Sequence, residues 1–251
     1  MAESVRKQSS SVSRLGGLEA VIFDLDDTLY LETSYVRSGF GAVAQVLADA
    51  HSSVEYIGRL LWQAFEQGPR DRVFNSVLRE LGREDESSEI SRLVRCYREH
   101  RPTLALEPAM RDLLGRVGRL YKLGLLTDGF LPAQQYKVEA LGLTEVFDCI
   151  VYTEALGREF WKPSPRAFEL MSESLGCAGS RCVYVADNVA KDFVGPNQLG
   201  WRTIRLLRPG QLHYNDGKAA GPASVANGDT LAQYTVPHLG GLEVLLGLAE
   251  K

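Results

Sequence analysis

The hydrophobic positions of this chain follow two different periods. Short continuous apolar runs are typical of buried strands, and they predict strands at residues 21–23, 122–126, 147–152, 182–186, 203–207 and 234–236. Apolar residues that recur every three or four positions are typical of helices. They predict helices at residues 35–50, 54–67, 72–81, 90–99, 108–120, 132–141, 164–175, 192–199 and 239–250.

The order of these elements indicates a fold class. From residue 108 onward helices and strands alternate, which favours an α/β fold with a doubly wound, parallel, Rossmann-like sheet and right-handed crossovers. Residues 31–107 interrupt that alternation with helices numerous enough to bury their own apolar faces, so they are interpreted as an inserted α-helical domain. The α/β core is then assigned to residues 18–30 and 108–251.

Two segments lack either period. Residues 209–230 are rich in Gly, Ala, Asn and Pro, which predicts a long loop. Residues 1–17 begin with a serine-rich stretch that carries a few basic residues and no apolar core of a secretory signal, so they predict a short disordered lead.

Composition narrows the class of protein further. The 251 residues are 45% hydrophobic and 24% charged, as in ordinary globular proteins, and the net charge of −4 gives no reason to expect nucleic acid or a membrane as partner. The four cysteines form no CxxC pair and are interpreted as reduced thiols. No apolar run approaches the roughly 18 residues needed to span a bilayer. A cytoplasmic enzyme is therefore expected.

Three carboxylates follow directly on the first predicted strand. Asp24, Asp26 and Asp27 come at its carboxyl end, where open α/β sheets form their ligand crevice. Neighbouring anions repel one another unless a cation or shared proton relieves them, and carboxylate oxygens suit Mg²⁺. One carboxylate could be a nucleophile that becomes phosphorylated and another an acid and base. A simple turn or helix cap is an equally good interpretation of this triplet alone.

A second acidic site ends the predicted strand at residues 182–186. Asp187 follows that strand and Asp192 comes five residues later. Parallel strands that both end in acids bring them to one edge of the sheet, where a pair of unit charges about 4 Å apart costs about 4 kcal/mol at an effective dielectric near 20. A metal ion would turn this repulsion into coordination, whereas a solvated loop with a helix cap at Asp187 is the alternative.

Two further residues are weaker candidates by themselves. Thr127 ends another predicted strand, so its hydroxyl and the following backbone N–H groups could bind an anionic oxygen. Lys162 precedes a helix predicted to have Ser164 as its cap and Pro165 in its first turn, and it could neutralise a phosphate and keep a carboxylate ionised. A common Thr-Asp-Gly turn and a solvated lysine are the alternatives.

Taken together, these sites resemble the four motifs of the haloacid dehalogenase superfamily. The resemblance runs from about residue 18 to about residue 207 and rests on Asp24-x-Asp26-x-Thr28, Thr127, Lys162 before Pro163, and Asp187-x4-Asp192. The stretch 127–129, followed by Gln134, Gln135 and Lys137 and then by Phe147-Asp148, resembles the subfamily with a helical cap inserted after the first motif. Residues 31–107 match that cap.

The resemblance implies a role for each matching residue. Asp24 would be the nucleophile that forms a phosphoaspartate, and Asp26 the general acid and base whose backbone carbonyl binds Mg²⁺. Thr127 would bind the transferring phosphoryl group, and Lys162 would stabilise that group and Asp24. Asp187 would be the main downstream metal ligand, with Asp192 completing or orienting the acidic site. Asp27 and Thr28 are expected to shape the turn.

Two positions depart from the family pattern. Ala186 stands where Gly is more frequent, and a methyl group should be tolerated there. Asp128 stands where Asn is frequent, and it should point away from a bound phosphate or cap the next helix, because a further anion facing the phosphate would oppose binding.

These residues predict a Mg²⁺-dependent phosphatase that acts on a small phosphate monoester, and the subfamily suggests a sugar phosphate. A haloalkanoate dehalogenase would need neither Asp26 nor the acids at 187 and 192. A sugar phosphomutase and a receiver-like or catalytically silent phosphate-binding module are the alternatives. Substrate-lining candidates in the inserted domain, which are as well explained as ordinary surface or core, are Tyr35, Arg37, Trp62, Arg70 and Arg72.

Overall fold

The computed structural model describes residues 14–212 and 230–248. Within these ranges six strands form one parallel sheet in the order β3-β2-β1-β4-β5-β6. The strands are β1 (Ala20–Phe23), β2 (Lys122–Thr127), β3 (Cys149–Tyr152), β4 (Cys182–Ala186), β5 (Arg202–Leu206) and β6 (Tyr234–Val236). The helices are α1 (Glu32–Leu47), α2 (Val54–Gln67), α3 (Val73–Glu80), α4 (Ser87–Glu99), α5 (Pro108–Val117), α6 (Ala133–Ala140), α7 (Arg166–Leu175), α8 (Val194–Gln198) and α9 (Leu239–Leu246).

The strand order reverses beside β1. The chain moves outward from β1 through β2 to β3, then crosses to β4 on the other side of β1 and continues to β5 and β6. Phe23 of β1 is level with Leu125 of β2 and with Val185 of β4. In such sheets a crevice opens at the carboxyl ends of the strands where the order reverses. The acids that follow β1 and β4 therefore share one crevice, as the sequence predicted.

Both faces of the sheet are covered. Alternate strand residues such as Phe23 and Val185 pack with α5, α6 and α9, while Ile22 and Tyr184 pack on the opposite face with α7 and with Phe193, just before α8. Gly124 permits the close contact of α7, since a Cβ there would lie 2.7 Å from the Met171 sulfur. This doubly wound α/β arrangement is the predicted fold class.

The helices α1 to α4 have a hydrophobic core of their own. Its fully buried members come from each of the four helices, namely Val43, Ala44, Ile57, Leu61, Leu78 and Leu93. In sequence these helices come directly after β1 and its turn, and α5 follows them. Tyr35 of α1 and Leu106, just before α5, pack with the core of the sheet. The exact division into two domains stays a prediction.

Several predicted boundaries differ from the observed ones. Helix α1 ends at Leu47, because the Asp49 carboxylate accepts hydrogen bonds from the N–H groups of His51 and Ser52 at 2.8 and 2.9 Å and turns the chain. Helix α7 begins at Arg166, and the Ser164 hydroxyl accepts only a 3.4 Å bond from its first N–H.

The predicted lead at residues 1–17 is also too long. The Leu15 N–H donates to the Leu245 carbonyl at 2.8 Å, and the Leu15 side chain is buried. The chain is therefore ordered before residue 18, because an apolar side chain there joins the sheet core. Residues 1–13, and most of the predicted loop (213–229), lie outside the described residues.

None of the helices in the described ranges combines the length and the apolar character needed to cross a membrane.

The central strands should dominate stability. Leu125 is fully buried in β2, so Leu125→Ala should lower the free energy of unfolding by about 2–5 kcal/mol through lost burial and a cavity. Leu120, just before the same strand, is 58% exposed, and Leu120→Ala should change it by less than about 0.5 kcal/mol. Denaturant unfolding of both variants checks this, and equal losses would contradict the assignment of the core.

Candidate active site

The site lies at the carboxyl edge of the three central strands. Asp24 follows β1, and its N–H still donates to the Val185 carbonyl of β4 at 2.9 Å. Thr127 is the last residue of β2, and Asp187 is the first residue after β4. Each of these side chains is buried. The sheet register thus brings Asp24 together with two residues that lie more than a hundred positions later in the sequence.

Lys162 lies at the centre of the acidic group. Its Nζ is 2.7 Å from Asp24 Oδ1, 2.7 Å from Asp192 Oδ1 and 3.0 Å from the Tyr184 hydroxyl, and its side chain is fully buried. Burial lowers the pKa of Lys162, but the charges of Asp192 and Asp24 outweigh burial and raise it well above the usual value. This ammonium is therefore permanently charged and holds two carboxylates together.

Three buried carboxylates form one cluster. One oxygen each from Asp24, Asp187 and Asp192 lies within 4.8 Å of the others. Burial raises the pKa of Asp24 to about 6 against the opposing charge of Lys162. Burial, with the charges of Asp24 and Asp192, raises the pKa of Asp187 to about 9. Ionisation of all three carboxyl groups of this cluster is therefore unfavourable without a further cation.

The donor set fits a hard divalent cation. Asp187 Oδ2 is buried, and no residue in the described ranges gives it a hydrogen bond. An unpartnered buried carboxylate oxygen costs free energy, and Mg²⁺ prefers oxygen ligands of this kind. The Asp26 side chain lies outside this carboxylate group. The predicted ligand role of its backbone carbonyl stays a prediction.

The turn after β1 is held by Asp27. This residue adopts a left-handed conformation (φ 57°), which an aspartate tolerates better than most side chains. Its carboxylate accepts the Glu32 N–H at 2.8 Å and the Leu212 N–H at 2.7 Å, and its carbonyl accepts Gln211 Nε2 at 2.6 Å. Asp27 therefore shapes the turn, as expected from the sequence, and connects it to the chain after β5.

The Asp26 carboxylate is surrounded by donors. Lys137 Nζ lies 2.8 and 2.9 Å from its two oxygens, Gln134 Nε2 donates at 2.9 Å, and the Tyr30 hydroxyl donates to Oδ1. Burial raises the pKa of Asp26, but the charge of Lys137 and these hydrogen bonds outweigh burial and lower it. Asp24 and Asp26 thus differ in environment although only one residue separates them.

Gln134 connects Asp26 to Thr127. Its Nε2 lies 2.6 Å from Thr127 Oγ1 and 2.7 Å from the Asp128 carbonyl. Gly129 makes room for it: with φ 138°, a Cβ at this position would lie 2.9 Å from Gln134 Cδ. A glycine is needed here for both its backbone conformation and its size.

The two departures from the family pattern are accommodated. The Asp128 carboxylate accepts the Thr153 hydroxyl at 2.8 Å and the Lys162 N–H at 3.2 Å, so it supports the loop that carries Lys162. That Asp128 points away from a bound phosphate stays a prediction, and these contacts support it. Ala186 is fully buried in β4.

Sequence reasoning assigned no role to Tyr30, Gln134, Lys137 and Tyr184. Gln134 and Lys137 are three positions apart on α6 and are both buried, so a polar pair on an otherwise apolar helix face was the available signal. Tyr184 sits between valines in β4, and nothing in that apolar run indicates that its hydroxyl meets Lys162.

Of the candidates in the inserted helices, Tyr35 lies nearest to the site. Lys137 Nζ is 4.1 Å from the centre of its ring. Arg37 instead stacks on Trp62 at 3.5 Å, and Arg70 lies over Phe65 at 4.7 Å. Arg98 of α4, which the sequence did not single out, lies 3.5 Å from the centre of the Phe130 ring, three residues after Thr127.

Known proteins are similar in sequence to this chain over most of its length. A glyceraldehyde 3-phosphate phosphatase from Methanopyrus kandleri is 29% identical over 201 residues, which cover 76% of this chain and 84% of the relative. The pyrimidine 5'-nucleotidase YjjG from Escherichia coli is 25% identical, with 74% and 84% covered.

The fold is also shared with solved structures. The crystal structure of the HAD-hydrolase YfnB from Bacillus subtilis, bound to magnesium, superposes with a TM-score of 0.63 at 20% identity, and covers 91% of this chain and 98% of that one. A family model described as haloacid dehalogenase-like hydrolase matches residues 18–200. Since that match spans most of the chain and its motif residues meet at one sheet edge, the protein belongs to the haloacid dehalogenase-like hydrolases.

Proposed function

We propose that this hydrolase is a Mg²⁺-dependent phosphatase that cleaves a small phosphate monoester through an aspartyl-phosphate on Asp24. The observation that carries the proposal is the separation of two carboxylates. Asp24 lies with Lys162 in the acidic cluster, whereas Asp26 is held by other donors outside it. A nucleophile and an acid/base need such different environments.

In the first half of the proposed reaction, a bond forms between an Asp24 oxygen and phosphorus while the ester P–O bond breaks. Lys162 neutralises charge on Asp24 and on the transferring group. Asp26 gives its proton to the leaving oxygen. The lowered pKa of Asp26 opposes this, but an entering phosphate dianion is a like charge that raises the pKa.

In the second half, water attacks phosphorus and the bond to Asp24 breaks. Asp26, now a carboxylate, takes the proton from that water, and inorganic phosphate leaves. Thr127 is suited to bind a phosphoryl oxygen, since its hydroxyl lies at the end of β2 next to β1. Asp24, Asp187 and Asp192 would hold the cation, which supplies charge stabilisation to the phosphoryl oxygens when bound.

The relatives support a small substrate. The Methanopyrus kandleri protein is named for glyceraldehyde 3-phosphate and the Escherichia coli protein for pyrimidine nucleotides, and the Bacillus subtilis structure is described as bound to magnesium. A phosphorylated sugar or a similar metabolite fits this range. The helices α1–α4 would act as the cap that covers it. Hydrolysis of a panel of phosphomonoesters with Mg²⁺ tests the proposal, and transfer to a second sugar hydroxyl instead of water would indicate a phosphomutase.

Replacing the nucleophile should abolish turnover. Asp24→Asn keeps the size of the side chain but cannot form the phosphoenzyme, so kcat should fall by at least about 10³-fold on the best substrate of the panel. The control is Asp112→Asn, whose side chain is 68% exposed and which should retain wild-type activity. Far-UV circular dichroism establishes that both variants are folded. Retained hydrolysis in Asp24→Asn would exclude the proposed nucleophile.

Metal binding should depend on pH. Because the pKa of Asp187 is raised to about 9, the native metal-free protein holds a proton that the unfolded chain releases near pH 4. This group's contribution to stability therefore falls as the pH rises from about 4 to about 9. Mg²⁺ competes with the proton, so it should raise Tm more at about pH 8.5 than at about pH 6. Thermal unfolding followed by tryptophan fluorescence measures this.

The variant Asp187→Asn separates metal binding from stability. The amide carries no charge, so the metal-free variant should unfold at a higher temperature than the wild type at alkaline pH, by about 2–4 °C for each kcal/mol of relieved repulsion. The Mg²⁺-dependent rise in Tm should disappear in it and persist in Asp112→Asn. A wild-type response to Mg²⁺ in Asp187→Asn would contradict the proposed ligand set.

A further inference from the structure

Helix α6 makes several polar contacts with Asp26, and the proposed reaction gives these contacts no role. Lys137 Nζ bridges both oxygens of the Asp26 carboxylate, and Gln134 Nε2 donates to Oδ2. Gln134 and Lys137 are one helical turn apart, so they project from the same face of α6. One short helix therefore supplies three of the four hydrogen bonds that the described residues make to the Asp26 carboxylate, and the Tyr30 hydroxyl supplies the fourth.

Packing alone does not account for Lys137. Its side chain is only 6% exposed, and a buried ammonium is usually no more stabilising than a well-packed apolar side chain of the same volume. Asp26 is its partner in ion pairing, and the Tyr35 ring lies 4.1 Å from Nζ. A lysine at this position is therefore better explained by what it does to Asp26.

Gln134 acts on two groups of the site at once. Its Nε2 carries two hydrogens but lies within 2.9 Å of three acceptors: Asp26 Oδ2, Thr127 Oγ1 and the Asp128 carbonyl. When Gln134 donates to Thr127 Oγ1, the Thr127 hydroxyl hydrogen is left to donate elsewhere. At present that hydrogen makes only a 3.4 Å contact with the Asp128 carbonyl. It is thus available to a phosphoryl oxygen.

We propose that Lys137 and Gln134 are positioning residues that fix the Asp26 carboxylate for proton transfer to the leaving group, with Gln134 also orienting the Thr127 hydroxyl. This inference rests on the proposed phosphatase function. It makes α6 a third part of the site, beside the turn after β1 and the acidic cluster. Misplacing a proton donor by about 1 Å can cost as much as about 10²-fold in rate.

The test uses two esters that differ in their need for a proton. The leaving group of p-nitrophenyl phosphate departs as a stable phenolate, whereas that of an alkyl phosphate must be protonated. The variants are Lys137→Met and Gln134→Met. Their controls are Lys122→Met, whose Nζ bonds the Leu175 carbonyl away from the site, and Gln135→Met, which is exposed on the same helix.

The measured quantity is kcat/KM, which reports on steps up to formation of the phosphoenzyme. Lys137→Met should lose about 10²-fold or more on the alkyl ester, the usual size of a general-acid contribution, and less than about fivefold on the nitrophenyl ester. Gln134→Met should lose activity on both esters, and more on the alkyl ester. Both controls should match the wild type.

A double-mutant cycle separates positioning from a structural effect. In an Asp26→Asn background, Lys137→Met should add no further preference between the esters, because no acid remains to be positioned. Equal losses of Lys137→Met on both esters, or an added preference in the Asp26→Asn background, would overturn the inference. Thermal unfolding identifies variants that are merely destabilised, since those lose activity on both esters alike.

The two proposals fail in different ways. If the wild-type protein with Mg²⁺ hydrolyses neither ester nor any member of the phosphomonoester panel, the phosphatase function is wrong. If the wild type hydrolyses both esters and Lys137→Met lowers kcat/KM by the same factor on each, only the proposed role of α6 is wrong.

Discussion

The main constraint on this structure is the electrostatic repulsion among three carboxylates that lie in one buried crevice. Lys162 is the ammonium at the centre of Asp24, Asp187 and Asp192, and it contacts Asp24 and Asp192 directly. Each carboxylate is fixed by a strand end or by backbone hydrogen bonds, so the group cannot relax by moving apart. The remaining negative charge fits the hard divalent cation of the proposed function, which would neutralise the cluster so that its negative charge no longer opposes a phosphate.

The parts of this arrangement that follow from local pattern could be predicted. Asp24 and Asp187 each follow an apolar strand, and parallel strands end at one edge, so their proximity is readable from sequence. Asp128 could be assigned an outward direction because an inward one would oppose phosphate binding. The helix ends were harder to predict. Helix α1 ends where the Asp49 carboxylate accepts hydrogen bonds from residues just after it, and the spacing of apolar residues does not indicate such bonds.

The parts that depend on tertiary contact could not be predicted. Lys137 and Gln134 appear in the sequence as polar residues of a helix, and only the packing of α6 beside β2 shows that they face Asp26. Tyr184 has apolar neighbours in β4, and the partner of its hydroxyl, Lys162, lies 22 positions earlier in the chain. The carboxylates of the site could therefore be identified from the sequence, whereas the side chains that hold them in place could be identified only from the structure.

The connection between Asp27 and the chain after β5 has a consequence for biosynthesis. The turn that carries Asp24 and Asp26 precedes its hydrogen-bond partners Gln211 and Leu212, since the bonds that Asp27 accepts from them span 184 and 185 positions. A chain emerging from the ribosome would expose these acids long before their supports exist. The crevice can become complete only when most of the polypeptide has been made, so a truncated product would carry the motif without a working site.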